Sequence, residues 1–335
     1  MRNRPTLRRF LRDRGSVVAG LVLLIVVVAS LAGGPIASTL LNHDGSDLFP
    51  YSVNENLRPV GPWSHVPAVN QALSLPDNSI APPPKHAKRT LFVLGADSEV
   101  GRDEFIRLLD GGKASLEIGL GGVLVALAVG LPLGVLAGFY GRWLDAIISR
   151  ITELVMAFPL ILLLVLVSVR LRPTLEPISI KHVLPPGVLE VALTIGIFTS
   201  FYPLRLIRAQ MLTLRHAEFV EAERMIGASN RRIIWRHLVP HLLPTLLVWG
   251  AVAVGTNILL EVGLSFIGAG VPLTTTTWGS MLVTTWGTIY SPHTYNAQAF
   301  TVWLTIFPTL AILIAVVSLN RVSEGARRAL APREL

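Results

Sequence analysis

Residues 114–139 read ASLEIGLGGVLVALAVGLPLGVLAGF, and this stretch decides the class of fold. It contains a single ionisable residue, Glu117, close to its start. A helix needs about 20 mostly apolar residues to cross the hydrocarbon core of a bilayer. The stretch exceeds that length, so it predicts a membrane-spanning helix.

Similar apolar stretches recur along the chain, and we predict an all-α membrane protein with six transmembrane helices. Hydrophobic residues make up 51% of the 335 residues and charged residues only 15%, whereas a soluble domain carries about 25% charged residues. The fourth stretch is the weakest, because Glu190 lies near its start and Pro203 near its end. The six predicted spans are 16–40, 114–139, 151–169, 187–206, 242–267 and 299–319.

The basic residues predict that both termini lie in the cytoplasm (N-in/C-in). Six arginines precede the first span, and cytoplasmic loops carry an excess of Lys and Arg. This orientation places 19 of the 29 basic residues inside. The net charge of +8 therefore belongs to loops between apolar runs and not to a nucleic-acid-binding face. The first span is longer than the apolar core of a cleaved signal peptide, about 7–15 residues, so we expect an uncleaved helix.

The topology divides the chain into a first helix, an outer loop, a core and a tail. The outer loop is rich in proline near its middle, which favours extended polyproline geometry, and a folded cap and a loose connection both stay open. A second outer segment, 271–298, carries Trp278 and Trp286 and is typical of a membrane-interface segment with aromatic anchors. The boundaries are 1–40 for the N-terminus and first helix, 41–113 for the outer loop or cap, 114–320 for the five-helix core with its cytoplasmic loop 205–241, and 321–335 for the cytoplasmic tail.

Two features inside the predicted bundle are candidates for packing or for the transport pathway. Gly130, Gly134 and Gly138 share one helical face, where small residues let a neighbouring backbone approach closely. We prefer helix packing, and not the lining of a transport pathway, as the role of these three glycines. Glu261 is an ionisable residue in an apolar span, which suggests a pathway role. It also lies near the outer end of its span, where it could snorkel to water or hydrogen-bond a neighbouring helix.

Signatures of catalysis, metal binding and nucleotide binding are weak. Gly111-Gly112-Lys113 lacks the upstream glycine and the downstream Ser or Thr of a phosphate-binding loop. His237 and His241 are four apart, but Pro240 intervenes and no acidic third ligand is near in sequence. We therefore predict no catalytic residues, no metal site and no cofactor. If ATP drives transport, another subunit must bind it.

Residues 218–244 read EFVEAERMIGASNRRIIWRHLVPHLLP and predict a hairpin of two short helices on the cytoplasmic side. Gly227 is suited to the left-handed conformation that ends the first helix. Ser229 is a good N-cap for the second helix. Pro240 is expected to close that helix at the membrane. Such a hairpin has an apolar face that needs a partner.

This hairpin resembles the EAA loop of ABC importer permeases. Glu221, Ala222, Gly227 and Pro240 match its spacing, and Glu223 replaces the second alanine and adds a charge. Further segments resemble the C-type permeases of dipeptide and oligopeptide importers. These segments are Leu94-Gly95-Ala96-Asp97 with Gly101-Arg102-Asp103, Gly138-Phe139-Tyr140-Gly141 with Asp145, Ala157-Phe158-Pro159, Trp278-Gly279-Ser280-Met281-Leu282, and Phe307-Pro308.

The resemblance implies a type I ABC importer permease in a prokaryotic plasma membrane. It implies a second homologous permease, two cytoplasmic ATP-binding subunits that bind ATP and Mg²⁺, and an extracytoplasmic substrate-binding protein. The candidate coupling residues are Glu221, Ala222, Glu223, Gly227, Ser229 and Pro240. Di- or oligopeptides are the expected cargo, with nickel chelates and oligosaccharides as alternatives. An ion-coupled carrier would need more intramembrane charge than Glu261, and a membrane-embedded enzyme would need convergent catalytic groups.

Overall fold

A computed structural model describes residues 10–53, 59–69, 86–97, 101–175, 184–272, 274–290 and 302–330. Within these ranges, five helices are long and apolar enough to cross a membrane, and a bent pair of shorter helices makes a possible sixth span. The five are α1 (Arg14–Leu41), α2 (Glu104–Tyr140), the joined helices α5 (Val188–Thr199) and α6 (Phe201–Leu214), α8 (Asn230–Phe266) and α10 (Val302–Leu330). The bent pair is α3 (Arg142–Met156) and α4 (Leu160–Leu175).

The third predicted span, 151–169, falls on this bent pair of helices. The chain breaks at residues 157–159, between α3 and α4, and the two helices are bent by 92°. Pro159 explains the break, because a proline disfavours helical geometry in the residue before it, here Phe158. The carbonyl of Pro159 then accepts the first hydrogen bond of α4, from the backbone N–H of Leu162 at 3.0 Å. We call this α3–α4 unit the elbow.

The helix α2 begins at Glu104, well before the predicted start of its span. Asp103 is the reason, since its carboxylate accepts hydrogen bonds from the backbone N–H groups of Phe105 (2.8 Å) and Ile106 (3.3 Å) and caps the helix. The other carboxylate oxygen of Asp103 lies 3.0 Å from Nε2 of the buried His43. Burial lowers the pKa of His43, but its contacts with Asp103 and the Leu41 carbonyl outweigh burial and raise that pKa overall.

The described part of the outer loop is folded and contains a small sheet. Strands β1 (Ser64–Pro67) and β2 (Arg89–Phe92) pair antiparallel, with Ser64 opposite Phe92. The apolar core of this part of the outer loop consists of four buried residues: Phe49, Val66, Phe92 and Ala96. The structure thus favours a folded cap for the described residues of the outer loop.

The three glycines of α2 lie directly against the backbone around α6. A Cβ added to Gly130, Gly134 or Gly138 would stand 2.6–2.8 Å from the carbonyl oxygens of Ser200, Leu204 and Arg208 respectively. Real Cβ atoms essentially never approach so closely, so only glycine permits this contact. All three glycines are buried inside the chain, which places them at a helix–helix contact.

The described part of the second outer segment forms helix α9 (Trp278–Tyr290), which packs against α8 and α10. Trp278 is only 2% exposed, and its Nε1 donates to the Leu108 carbonyl at 3.0 Å. The reading of Trp278 as an interface anchor is therefore wrong, because its indole finds a buried partner on α2. The side chain of Trp286 lies outside the described residues.

Candidate functional site: the 218–244 hairpin

The first half of the hairpin is helix α7 (Glu218–Met225), which ends as the sequence predicts. Gly227 has φ of +82°, the left-handed region. The backbone N–H of Ala228 donates to the Glu223 carbonyl and that of Gly227 donates to the Arg224 carbonyl, both at 3.0 Å. These are the two bonds of a Schellman motif. The turn therefore depends on a backbone conformation that glycine adopts without strain.

The second half of the hairpin is continuous with a membrane span. Ser229 is the N-cap, accepting from the backbone N–H of Arg232 at 3.4 Å, and α8 then runs to Phe266. The prediction that Pro240 closes this helix is wrong. We attribute the continuity to a π-helical turn over Ile233–Leu238, which rearranges the backbone bonds just before the proline that lacks a donor.

One face of the hairpin packs on the protein's own bundle. Val220 of α7 and Ile233 and Leu238 of α8 are each 0% exposed. They share a cluster with Val135 and Phe139 of α2 and with two fully buried residues of α6, Ile207 and Met211. The hairpin is thus fixed to α2 and α6 by apolar contact.

The opposite surface is apolar and exposed. Met225 is 89% exposed, Ile226 76% and Trp235 59%. We call these three residues the hairpin tip. Apolar side chains this exposed next to a helix turn are typical of an interaction site. The exposed polar and small residues beside them include Glu221, Ala222, Gly227, Ser229, Arg231 and Arg232.

The carboxylates of Glu221 and Glu223 have different surroundings. Glu223 is half-buried, and its Oε1 lies 3.2 Å from Nε2 of His237 on α8, so its extra charge faces the second helix of the hairpin. Glu221 is exposed and forms no ion pair with the part of the chain that the structure describes. Its carboxylate is accessible to another protein chain.

The two histidines considered as a metal pair have separate contacts. The ring of His241 stacks on Phe219 at a centroid distance of 5.3 Å, and its Nδ1 lies 2.9 Å from the His237 carbonyl. His237 faces Glu223 instead. Among the described residues, no group of three or more His, Cys, Asp or Glu side chains is placed to hold a metal ion.

Glu261 lies inside the protein and does not reach water. Its side chain is 0% exposed, and Oε1 accepts hydrogen bonds from Thr277 (2.7 Å) and Ser265 (2.8 Å). Thr277 directly precedes helix α9, so the carboxylate sits beside the positive end of that helix. The buried position of Glu261 excludes snorkelling of its side chain to water. The predicted alternative, a hydrogen bond to a neighbouring segment, is present in the contact with Thr277. This placement favours a role in holding α9 against α8.

A polar contact between the elbow and α6 was not predicted from the sequence. Asp145 of α3 and Arg208 of α6 form a two-pronged ion pair, with Nη2 of Arg208 2.8 Å from Oδ2 of Asp145 and Nε donating to Oδ1. A resemblance in a short loop singled out Asp145, but nothing in the sequence linked it to a residue 63 positions later.

Comparison with known proteins identifies the family of this chain. The family model described as "Binding-protein-dependent transport system inner membrane component" matches residues 130–334. The chain is 32% identical over 329 residues to the glutathione transport system permease protein GsiD of Pectobacterium atrosepticum, covering 97% of this chain and 89% of that protein. It is 34% identical over 235 residues to the dipeptide transport system permease protein DppC of Alkalihalophilus pseudofirmus, covering 70% of each.

The family match includes the hairpin, the glycines of α2 and both partners of the Asp145–Arg208 pair. Several apolar helices make the chain a multi-pass inner-membrane protein. The chain belongs to the binding-protein-dependent transport system inner membrane component family and is a permease subunit of an ABC importer.

Proposed function

We propose that this chain forms half of a pathway for di- or oligopeptides and that the hairpin couples it to ATP-hydrolysing partner subunits. The hairpin carries this proposal, since its inner face is fixed to the bundle while the tip residues Met225, Ile226 and Trp235 stand exposed. The relatives named for dipeptide and glutathione transport support a peptide cargo.

The continuity of the hairpin with α8 supports a lever-like transmission of force. A push on the tip acts directly on α8, because the hairpin's second helix and the membrane span are one helix. The same push acts on α2 and α6 through the buried cluster around Val220 and Ile233. Such a rigid unit can alternate a bundle between two arrangements.

The proposed assembly contains four further components. A second homologous permease completes the pathway, two cytoplasmic subunits bind ATP and Mg²⁺ and contact the hairpin tip, and an extracytoplasmic protein delivers the substrate. In this assignment the chain itself performs no hydrolysis. The outer cap and α9 lie on the side from which substrate arrives.

Uptake by the whole assembly tests the proposal. The chain, a partner permease, two ATP-binding subunits and a binding protein encoded beside it are reconstituted in liposomes, and uptake of a labelled dipeptide, glutathione, a disaccharide and a nickel chelate is measured. We expect ATP-dependent uptake of a peptide at least tenfold above an assembly lacking this chain. Uptake of the disaccharide or the chelate alone would contradict the peptide assignment, and uptake without ATP would contradict the coupling.

A further inference from the structure

Helix α3 of the elbow is not closely packed against α6. Helix α3 has an exposed apolar side that includes Trp143, Ile147 and Leu154, at 50–67% exposed. Its other side faces α6 across a cavity of about 160 Å³. Close apolar packing therefore does not fill the space between α3 and α6.

The cavity is lined mainly by polar side chains, together with the apolar Met156 and Leu204. Ser149, Thr152 and Glu153 lie on the α3 side, and Arg205 and Arg208 lie on the α6 side. Arg208, which lines this cavity, also forms the two-pronged ion pair with Asp145 of α3. A guanidinium and a carboxylate that meet through two parallel hydrogen bonds fix both distance and orientation.

The same two turns of α6 also carry the hairpin. Ile207 and Met211 flank Arg208 in sequence and are buried in the cluster that contains Val220 and Ile233 of the hairpin. Just beyond the end of α6, Arg215 donates to the Gly138 carbonyl at 3.2 Å, which ties this part of the chain to α2. A displacement of the hairpin thus moves Arg208 with it.

We propose that the Asp145–Arg208 ion pair transmits movement of the hairpin to the elbow and so to α4. The inference rests on the proposed coupling function and adds the connection by which one further helix follows the hairpin. The pair is partly exposed, at 33% for Arg208 and 21% for Asp145. Exposed ion pairs contribute about 1 kcal/mol or less to stability, and the two-pronged geometry places this pair toward the upper end of that range. Breaking the pair should therefore lower the thermal midpoint only slightly, whereas the loss of coupling should be large.

Four variants separate transmission from structure. Asp145→Asn and Arg208→Gln each remove one charge. The double variant Asp145→Arg with Arg208→Asp restores an ion pair of reversed sense. Arg150→Gln is the matched control, because Arg150 pairs with Glu153 within α3 at 2.9 Å and is 84% exposed.

The readouts are uptake of a labelled peptide, ATP hydrolysis and the thermal midpoint of the reconstituted assembly. We expect each single variant to lose at least tenfold in uptake while ATP hydrolysis stays within twofold and the midpoint falls by no more than about 4 °C. We expect the double variant to recover uptake to within threefold of wild type and Arg150→Gln to match wild type.

Three outcomes would overturn the inference. Wild-type uptake in both single variants would show that the pair transmits nothing. Equal losses of uptake, hydrolysis and thermal midpoint, without recovery in the double variant, would show a purely structural role. A wild-type assembly that assembles but transports none of the tested substrates would overturn the proposed function and this inference together, whereas the first two outcomes leave the proposed function standing.

Discussion

Replacing Gly227 by valine is expected to abolish transport while leaving the chain inserted in the membrane. Gly227 has φ of +82°, and both hydrogen bonds that end α7 depend on this conformation. The left-handed region costs an L-residue about 1–2 kcal/mol and is a genuine outlier for a β-branched one. The strained turn would redirect the tip residues Met225 and Ile226. We expect uptake below a tenth of the wild-type level.

Gly227→Asn is the matched control for this prediction. No atom lies within 4 Å of a Cβ built on Gly227, so both substitutions fit sterically and differ mainly in backbone preference. Asparagine tolerates the left-handed region, and we expect this variant to keep most of the uptake. Membrane extraction and immunoblotting report insertion. Full uptake by Gly227→Val, or equal losses in both variants, would show that the turn conformation does not matter.

Replacing Gly138 by alanine is expected to destabilise the contact between α2 and α6. The new Cβ would lie 2.8 Å from the Arg208 carbonyl oxygen, and this neighbour is backbone that cannot rotate away. Overpacking of this kind costs about 1–3 kcal/mol, against a gain of about 1 kcal/mol in helix propensity. We expect a lower thermal midpoint for the detergent-purified complex and reduced uptake, because α2 and α6 both support the hairpin.

Gly250→Ala provides the comparison. Gly250 is buried in α8, yet its Cβ would meet only Cγ1 of Val123, at an ordinary 3.5 Å. The helix-propensity gain should therefore appear without a packing penalty, and the thermal midpoint should rise or stay constant. A midpoint for Gly138→Ala equal to or above that for Gly250→Ala would contradict the close contact between α2 and α6.

Much of the fold follows from local patterns in the sequence. The apolar stretches predict the long helices, because about 20 consecutive apolar residues match the length of a helix that crosses a bilayer. The hairpin was also predictable, since Gly227 and Ser229 are residues with strong preferences for a helix end and a helix start. Gly130, Gly134 and Gly138 share one face at a spacing of four, and the structure places them against α6.

The remaining features depend on proline context and on distant contacts. Pro159 breaks the third span, whereas Pro240 lies within a continuous helix because a π-helical turn precedes it. Hydropathy alone does not separate these two cases. Trp278 is buried because Leu108 and Ser115, about 170 positions earlier, provide its hydrogen-bond partners. The Asp145–Arg208 pair joins two segments whose proximity emerges only from the packing of α2 against α6.

The central claim is that the hairpin tip contacts an ATP-binding subunit, and photo-crosslinking tests it most directly. The chain contains no cysteine, so Met225→Cys introduces a unique thiol at a position that is 89% exposed. A maleimide–benzophenone reagent is attached to this thiol in the purified chain, and the transporter is then assembled with its other subunits and irradiated. Leu48→Cys in the outer cap is the control. We predict a crosslink from Met225→Cys to an ATP-binding subunit and none from Leu48→Cys. A labelled Met225→Cys that yields no such product, or equal products from both positions, would contradict this prediction.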